Sequence, residues 1–202
     1  MYVNFSPYEN TGKIADYILA HFSTVVMFVF NFHHLGPKQE QSRILIYLNG
    51  KLIRKQYIFQ TIYAPSFALA SLSIRSFVIL LQIMYHAERL KKKYGPFDIY
   101  FSVNAFTAWT GTILKHAGIV RKTIFWVWDY YPPKHKSRMT SFIRWIYWQF
   151  DKSATSSDKI IFLNNRLEKL RKDIGILPKK ISHTIVGIGT HSTSGPKTKT
   201  GF

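Results

Sequence analysis

Two short apolar runs separated by a helical pattern constrain the fold of this chain more than any other feature. The first run covers residues 97–105 and includes Asn104 near its end, and the second covers residues 122–133 and includes Asp129. Between them, apolar residues recur with helical spacing over residues 106–116. Strands without a polar face are typical of a parallel sheet that is buried on both sides. Because ligands bind beyond the carboxyl ends of such strands, Asn104 and Asp129 are candidate site residues.

Strands and helices are predicted to alternate along most of the chain. The further predicted strands cover residues 2–5, 24–31, 43–48, 51–59, 159–163 and 181–186, and the further predicted helices cover residues 14–22, 65–94, 137–151 and 165–174. Asn49 and Gly50 form the strongest short signal for a hairpin. The alternation predicts an α/β fold: a doubly wound, mostly parallel Rossmann-like sheet of six or seven strands with helices on both faces, in which the hairpin is an irregular insertion.

The composition is globular and strongly basic. Lysine and arginine outnumber the acidic residues by 28 to 10, which gives a formal net charge of +18. Such a surplus attracts polyanions, whether nucleic acid, anionic lipid headgroups or phosphorylated substrates. The basic residues are dispersed over many elements and form no nucleic-acid recognition motif, so nucleic acid is not an expected partner.

Metal and cysteine chemistry are not expected from the sequence. The chain has no cysteine, which excludes disulfides, thiolate chemistry and zinc sites built from cysteine. The adjacent His33 and His34 have no carboxylate near them in the sequence. Adjacent histidines in such a loop rarely form a metal site, so we predict none.

One segment has nearly the length of a membrane span. Residues 66–86 are largely apolar, and about 20 apolar residues suffice to cross a bilayer. Arg75, Gln82 and several serines interrupt the segment, and an arginine at the centre of a span is costly. We therefore expect a helix packed on the sheet, with an integral membrane protein as the alternative.

The predicted helix over residues 137–151 has two different faces. The apolar face, expected to lie in the core, carries Met139, Phe142, Ile143, Ile146 and Phe150. The other face carries Arg138, Arg144, Trp145 and Trp148, and follows Lys134 and Lys136. Basic residues beside tryptophans suit an anionic membrane interface, and a solvated face with two partly buried tryptophans is the alternative.

Four segments in order resemble the N-terminal half of a nucleotide-sugar-dependent glycosyltransferase with the GT-B fold. They are SPYENTG (residues 6–12), FDIYFSVN (97–104), WVWDYYP (126–132), and SDKIIFLNN (157–165) followed by KISHTIVGIGT (180–190). The resemblance covers about residues 1–190, which we assign to one Rossmann-like domain. Residues 191–202 resemble an interdomain linker and the opening of a second domain. This resemblance implies a truncated or split enzyme.

The resemblance also implies a function. In such enzymes a sugar moves from a nucleotide-sugar, held by the second domain, to an acceptor held by the first. This chain would bind no cofactor itself, and would contact a lipid-linked or cell-envelope glycan at the cytoplasmic face of the membrane. The expected acceptor contacts are Glu9, Asn10, Gly12, Asn104 and Asp129. A separate donor-binding domain or subunit and an anionic membrane surface are the other expected partners.

The sequence also departs from the family pattern. Trp128 stands where many members have histidine, and Asn164 and Asn165 replace a small residue, so no role of those positions is carried over. Asn104, Asp129 and Gly12 can also serve in turns without touching a ligand. The alternative function is a non-catalytic, basic membrane-docking or binding module, such as one subunit of a split enzyme.

Overall fold

The computed structural model describes residues 1–5, 14–32, 41–64, 67–128, 130, 132, 134–177 and 182–186. The elements, in chain order, are β1 (Tyr2–Asn4), α1 (Ile14–His21), β2 (Thr24–Val29), β3 (Arg43–Leu48), β4 (Lys51–Tyr57), α2 (Ala68–Tyr94), β5 (Phe97–Ser102), α3 (Ala105–His116), β6 (Val120–Val127), α4 (Arg138–Ala154), β7 (Lys159–Phe162), α5 (Asn165–Asp173) and β8 (Ser182–Ile185). The strand–helix–strand unit formed by β5, α3 and β6 confirms the prediction made from the two apolar runs.

One sheet of eight strands organises the described residues, in the order β4-β3-β2-β1-β5-β6-β7-β8. Six neighbouring strands of the sheet are parallel to one another: β2, β1, β5, β6, β7 and β8. Strand β3 is antiparallel to β2, and β4 is antiparallel to β3. The hairpin prediction is confirmed at its turn, where Asn49 and Gly50 have φ angles of 49° and 74°. The hairpin is not an irregular insertion, however. It extends the sheet through pairing of β3 with β2, which is why the sheet exceeds the predicted six or seven strands.

Helices cover both faces of the sheet, as predicted. Because successive side chains of a strand point to opposite faces of the sheet, neighbouring residues of β1 show which helices cover each face. Tyr2 belongs to a buried cluster with Ile14 and Ile18 of α1. Val3 belongs to a larger cluster that includes side chains of α2 and α3. Helix α1 therefore lies on one face, which we call the α1 face, and α2 and α3 lie on the opposite face, where α4 packs against α3.

Helix α2 is a packed helix of the domain. Ile79, Ile83 and Ala87 on its inner face are almost completely buried. The guanidinium of Arg75, also buried, donates to the backbone oxygen of Phe32. In the part of the chain that the structure describes, no helix is both long enough and apolar enough to cross a membrane.

The rotation of α4 differs from the prediction. Ile143 is buried and Phe150 packs between the rings of Phe106 and Trp109. Met139 and Phe142 were expected in the core, but they are 50% and 61% exposed, so that prediction was wrong. Polar partners on the inner face explain the rotation. The Tyr147 hydroxyl lies 2.8 Å from Ser76 Oγ of α2, and Asp151 forms a buried ion pair with Arg171 of α5.

Asp158 ties the turn before β7 to β6 and to α3. Its carboxylate accepts hydrogen bonds from the backbone and hydroxyl of Thr123, at 2.8 and 3.1 Å, and lies 2.5 Å from Lys115 Nζ. Partial burial opposes ionisation of Asp158, but the hydrogen bonds from Lys115 and Thr123 outweigh it. The pKa of Asp158 is therefore below its usual value of 3.8.

The depressed pKa of Asp158 predicts a pH-dependent contribution to stability. A carboxyl whose folded pKa is lowered stabilises the fold above its unfolded pKa and loses that contribution as the pH falls through the folded pKa. We expect Asp158→Asn to lower the free energy of unfolding at neutral pH by about 1 kcal/mol, since partial exposure screens the interaction. Urea denaturation from pH 7 to below pH 4 should show the variant and the wild type converging at acid pH. A difference in the free energy of unfolding that stays constant with pH would contradict the stabilising role of the Asp158 carboxylate.

Candidate functional site

The order of the strands reverses at β1, and this reversal locates the candidate site. From β1 the chain proceeds outward to β2, and it later returns to place β5 on the other side of β1. In doubly wound sheets such a switch point opens a crevice at the carboxyl ends of the two strands. Here those ends are Asn4 and Ser102, at what we call the carboxyl edge. Asn104 lies two residues beyond Ser102, after Val103, and therefore lies beside the crevice.

Asn104 is the N-cap of α3. Its Oδ1 accepts a hydrogen bond from the backbone of Thr107 at 2.9 Å, and the Thr107 hydroxyl donates to the Asn104 backbone oxygen at 3.0 Å. The sequence analysis gave a turn as the alternative to a ligand contact at this residue, and the structure shows a helix cap. Within the described part of the chain, the side-chain amide nitrogen of Asn104 makes no hydrogen bond to a protein acceptor, and the residue is half-buried. One side chain can therefore cap the helix and still offer donors to a ligand.

Aromatic rings form the floor next to the switch point. Phe5 follows β1 and stacks on Phe32, with ring centroids 4.9 Å apart, and on Phe106 of α3, at 5.2 Å. All three rings are buried. They join the ends of β1 and β2 to the first turn of α3, so the backbone around Asn104 rests on a packed apolar base.

Arg75 places a buried cation near the same edge, and the sequence analysis missed it. Its Nε lies 3.4 Å from Thr61 Oγ1, and its guanidinium stacks on the rings of Phe32 and Tyr63 at 4.2 and 5.0 Å. Burial lowers the pKa of Arg75, and the neighbouring tyrosines partly oppose that shift. None of the ion pairs among the described residues includes Arg75. In the sequence this arginine only interrupted an apolar run, because its partners lie far from it along the chain.

A polar clamp holds together the segments that flank residues 32–41. Ser42 Oγ donates to Gln60 Oε1 at 2.6 Å, and Gln60 Nε2 donates to the Asn31 backbone oxygen at 2.7 Å. The Asn31 backbone nitrogen donates in turn to Ser42 Oγ at 3.2 Å. The end of β2 and the start of β3 are thereby fixed beside the carboxyl edge.

Two indole groups at the end of β6 are further polar features that the sequence did not reveal. Trp126 and Trp128 meet edge to face, with centroids 5.3 Å apart. The Nε1 atom of each is buried and has no hydrogen-bond partner among the residues that the structure describes. An unpaired buried donor costs free energy, so these two indoles lower the stability of this end of β6. In the GT-B glycosyltransferases that the sequence resembles, the position of Trp128 is often histidine.

An apolar cavity lies on the α1 face. It has a volume of about 520 Å³ and is lined by α1 and by the central strands, including Ile18, Phe101 and Trp126. Its lining is almost entirely apolar, so the polar groups that would orient a sugar lie at the carboxyl edge instead. We therefore place the candidate site at the edge.

The predicted site residues are only partly within the described chain. Asn104 lies at the carboxyl edge as expected, whereas Glu9, Asn10, Gly12 and Asp129 lie outside the described residues. His33 and His34 also lie outside them. Within the described ranges, no group of three or more His, Asp or Glu side chains could hold a metal ion.

The four residues predicted to face a membrane differ in exposure. Arg138 begins α4 and is exposed, and Arg144 is half-buried. Trp145 is 50% exposed and stacks on Phe142, with centroids 6.3 Å apart. Trp148 is half-buried beneath Lys152, whose Nζ lies 4.7 Å from the ring centroid. The exposed aromatic side chains of α4 are therefore Phe142 and Trp145.

The fold and the switch point define a Rossmann-like α/β domain with a crevice at its carboxyl edge. Comparison with protein-family models, with curated proteins and with solved structures gave no match.

Proposed function

We propose that this chain is the acceptor-side half of a glycosyltransferase, which moves a sugar from a nucleotide-sugar to a lipid-linked or cell-envelope glycan. The observation that supports this most is the position of Asn104. It lies at the switch point of a doubly wound sheet, and its side-chain amide nitrogen donates to no other described residue. The sequence resemblance to GT-B glycosyltransferases supplies the reaction class.

In the proposed reaction, the groups of this chain orient the acceptor. The Asn104 amide would donate to an acceptor hydroxyl, while its Oδ1 keeps the first turn of α3 in place. The nucleotide-sugar would bind to a second domain or polypeptide, and stabilisation of the departing diphosphate would come from there. The chain by itself is expected to bind an acceptor weakly and to transfer no sugar.

The proposed location is the cytoplasmic face of a membrane, with the chain bound peripherally. A net charge of +18 favours an anionic surface. Among the residues assigned to this contact, Arg138, Arg144 and Trp145 have exposed or half-exposed side chains on α4. Trp148 would contribute by packing under Lys152.

A second candidate is a non-catalytic membrane-docking module, for example one subunit of a split enzyme. The exposed Phe142 and Trp145 on α4 favour it. The two candidates differ at Asn104, because a module that only docks would have no use for the Asn104 amide donors.

The proposed acceptor contact predicts a specific effect of Asn104→Asp. Aspartate is as good an N-cap as asparagine, so α3 and the fold should be retained, but the amide donors are lost. We expect the affinity for short alkyl glycosides, used as acceptor surrogates and measured by NMR titration, to fall by about 3- to 10-fold, the value of one hydrogen bond. Asn104→Ala should bind equally weakly and also lose about 1 kcal/mol of stability.

Asn164→Asp is the matched control. Asn164 caps α5 as Asn104 caps α3, with its Oδ1 accepting from the backbone of Leu167 at 3.0 Å, but it lies at the end of β7 and not at the switch point. The affinity of the Asn164→Asp variant for the same glycosides should equal that of the wild type. Wild-type affinity in Asn104→Asp would remove the acceptor contact from the proposal.

A further inference from the structure

A continuous apolar stripe runs along the outer side of α2. Ile74, Phe77, Leu81 and Tyr85 follow one another at helical spacing, and each is between 50% and 69% exposed. The opposite side of the same helix is buried against the sheet through Ile79, Ile83 and Ala87. The stripe is therefore additional to the face that the fold needs, and it has the spacing of a second binding face.

Helix α4 has exposed apolar side chains of its own. Met139, Phe142 and Trp145 are between 50% and 61% exposed, and the rings of Phe142 and Trp145 stack on each other. These side chains lie outside the core because α4 turns Ile143, Tyr147 and Phe150 inward.

The two sets lie on neighbouring helices. Helices α2 and α4 touch where Ser76 Oγ and the Tyr147 hydroxyl lie 2.8 Å apart. We call the combined set the α2–α4 surface, and its members are Ile74, Phe77, Leu81, Tyr85, Met139, Phe142 and Trp145. Exposed apolar side chains in such number on two packed helices are typical of an interaction site.

Basic residues border this surface. The C-terminal part of α2 carries Arg89, Lys92 and Lys93, and the segment that leads into α4 carries Lys134, Lys136 and Arg138. The acidic residues of the two helices are Glu88, which lies 3.9 Å from Lys91, and Asp151, which is buried. Arg89 donates to the Tyr85 hydroxyl at 3.1 Å, and its guanidinium lies 5.6 Å from the Tyr85 ring centroid. The last ring of the stripe is thus joined to a cation.

We propose that the α2–α4 surface docks onto an anionic lipid bilayer. Apolar and aromatic side chains would enter the boundary between headgroups and acyl chains, and the bordering arginines and lysines would contact acidic headgroups. The basic border favours such a surface over an uncharged one. This inference builds on the membrane part of the proposed function and does not depend on sugar transfer.

The test is binding of the full chain to vesicles by co-sedimentation. The vesicles contain phosphatidylcholine alone or phosphatidylcholine with about one-third phosphatidylglycerol. The wild type should bind the anionic vesicles and bind the neutral ones far more weakly. The double variant F77S/L81S, which changes only outward-facing side chains, should bind the anionic vesicles about tenfold or more weakly. The variant Phe142→Ser should also bind the anionic vesicles more weakly than the wild type.

Variants of β4 serve as matched controls. Leu52 and Ile53 are about as exposed as Phe77 and Leu81 but lie on the edge strand, so L52S/I53S should bind like the wild type. For charge, R89E/K92E should weaken binding to anionic vesicles, while K51E/R54E, which has the same net charge, should not. Thermal unfolding monitored by circular dichroism checks that every variant is folded.

Each outcome bears on the inference. No binding by the wild type would overturn it together with the membrane part of the proposed function. Wild-type binding by folded F77S/L81S would overturn it alone and leave peripheral association standing. Equal losses in the α2 and β4 charge variants would mean attraction by net charge only, which also overturns it. A stable dimer in sedimentation, abolished by F77S/L81S, would assign the surface to a second copy of the chain instead.

Discussion

Replacing Asp151 by asparagine is expected to lower the free energy of unfolding by about 3–5 kcal/mol. Asp151 of α4 and Arg171 of α5 are 6% and 1% exposed, and Arg171 Nη2 lies 2.5 Å from Asp151 Oδ1. In the described ranges, the Nε and Nη1 atoms of Arg171 have no hydrogen-bond partner, so this carboxylate is the main compensation for a buried charge. Asparagine has nearly the same shape but no charge, and the guanidinium would remain buried without a counterion.

Two comparisons test whether the buried ion pair causes the expected loss in the free energy of unfolding, measured by urea denaturation. The double variant Asp151→Leu with Arg171→Met removes both charges, and we expect it to be more stable than Asp151→Asn, because no charge is left unpaired. Asp98 and Arg121 form an ion pair at 3.1 Å, with 80% and 67% of their side chains exposed. Asp98→Asn should change stability little. A loss in Asp151→Asn no larger than that in Asp98→Asn would contradict this description of the α4–α5 contact.

Replacing Gly111 by alanine is expected to destabilise the fold by about 1–3 kcal/mol. A Cβ atom at Gly111 would lie 2.5 Å from Cδ1 and 2.6 Å from Cε1 of Tyr100, closer than side-chain carbons approach. Tyr100 cannot move aside easily, because it is fully buried in β5 and its hydroxyl donates to the Thr107 backbone oxygen at 2.8 Å. In an exposed helix the same change would stabilise by about 1 kcal/mol, so the expected effect has the opposite sign to helix propensity.

A double-mutant cycle with Tyr100→Leu tests the cause. Leucine lacks the ring that meets the added Cβ, so Gly111→Ala should cost less in that background than in the wild type. Guanidinium denaturation of the four proteins gives the coupling free energy. Equal costs in both backgrounds would mean that Tyr100 is not what requires glycine at this position.

Local patterns were sufficient to predict the elements near the switch point. The runs that became β5 and β6 had no polar face, and α3 between them had helical spacing, so each could be assigned from a few neighbouring residues. The same holds for the turn at Asn49 and Gly50, where two left-handed residues are required. In each case the determining contacts lie within one element or one turn.

Features that depend on distant partners were not predictable in the same way. Met139 and Phe142 fit an apolar helix face in the sequence, but the contacts of Tyr147 with Ser76 and of Asp151 with Arg171 set the rotation of α4. Those partners are 71 and 20 residues away along the chain. Arg75 was likewise visible only as an interruption, since Phe32 is 43 residues from it.

The candidate site likewise combines features that local sequence patterns predict with features that depend on distant parts of the chain. Strand order decides where the crevice opens, and strand order is a property of the whole sheet. The sequence nevertheless placed Asn104 at the end of a parallel strand, and the structure puts that strand beside β1 at the switch point. The dual use of the Asn104 side chain, capping with Oδ1 and leaving its amide nitrogen available, required the geometry of α3.

The central proposal, that the carboxyl edge of β1 and β5 binds a glycan acceptor, is tested most directly by mapping amide chemical-shift changes in the labelled chain. Short alkyl glycosides are the acceptor surrogates, and a nucleotide-sugar is added in a separate titration. We predict that the glycosides shift the amides of Phe5, Asn104, Thr107 and Trp128, and that the nucleotide-sugar alone leaves them unchanged. Glycoside-induced shifts that spare this edge, or shifts produced there by the nucleotide-sugar alone, would contradict the proposal.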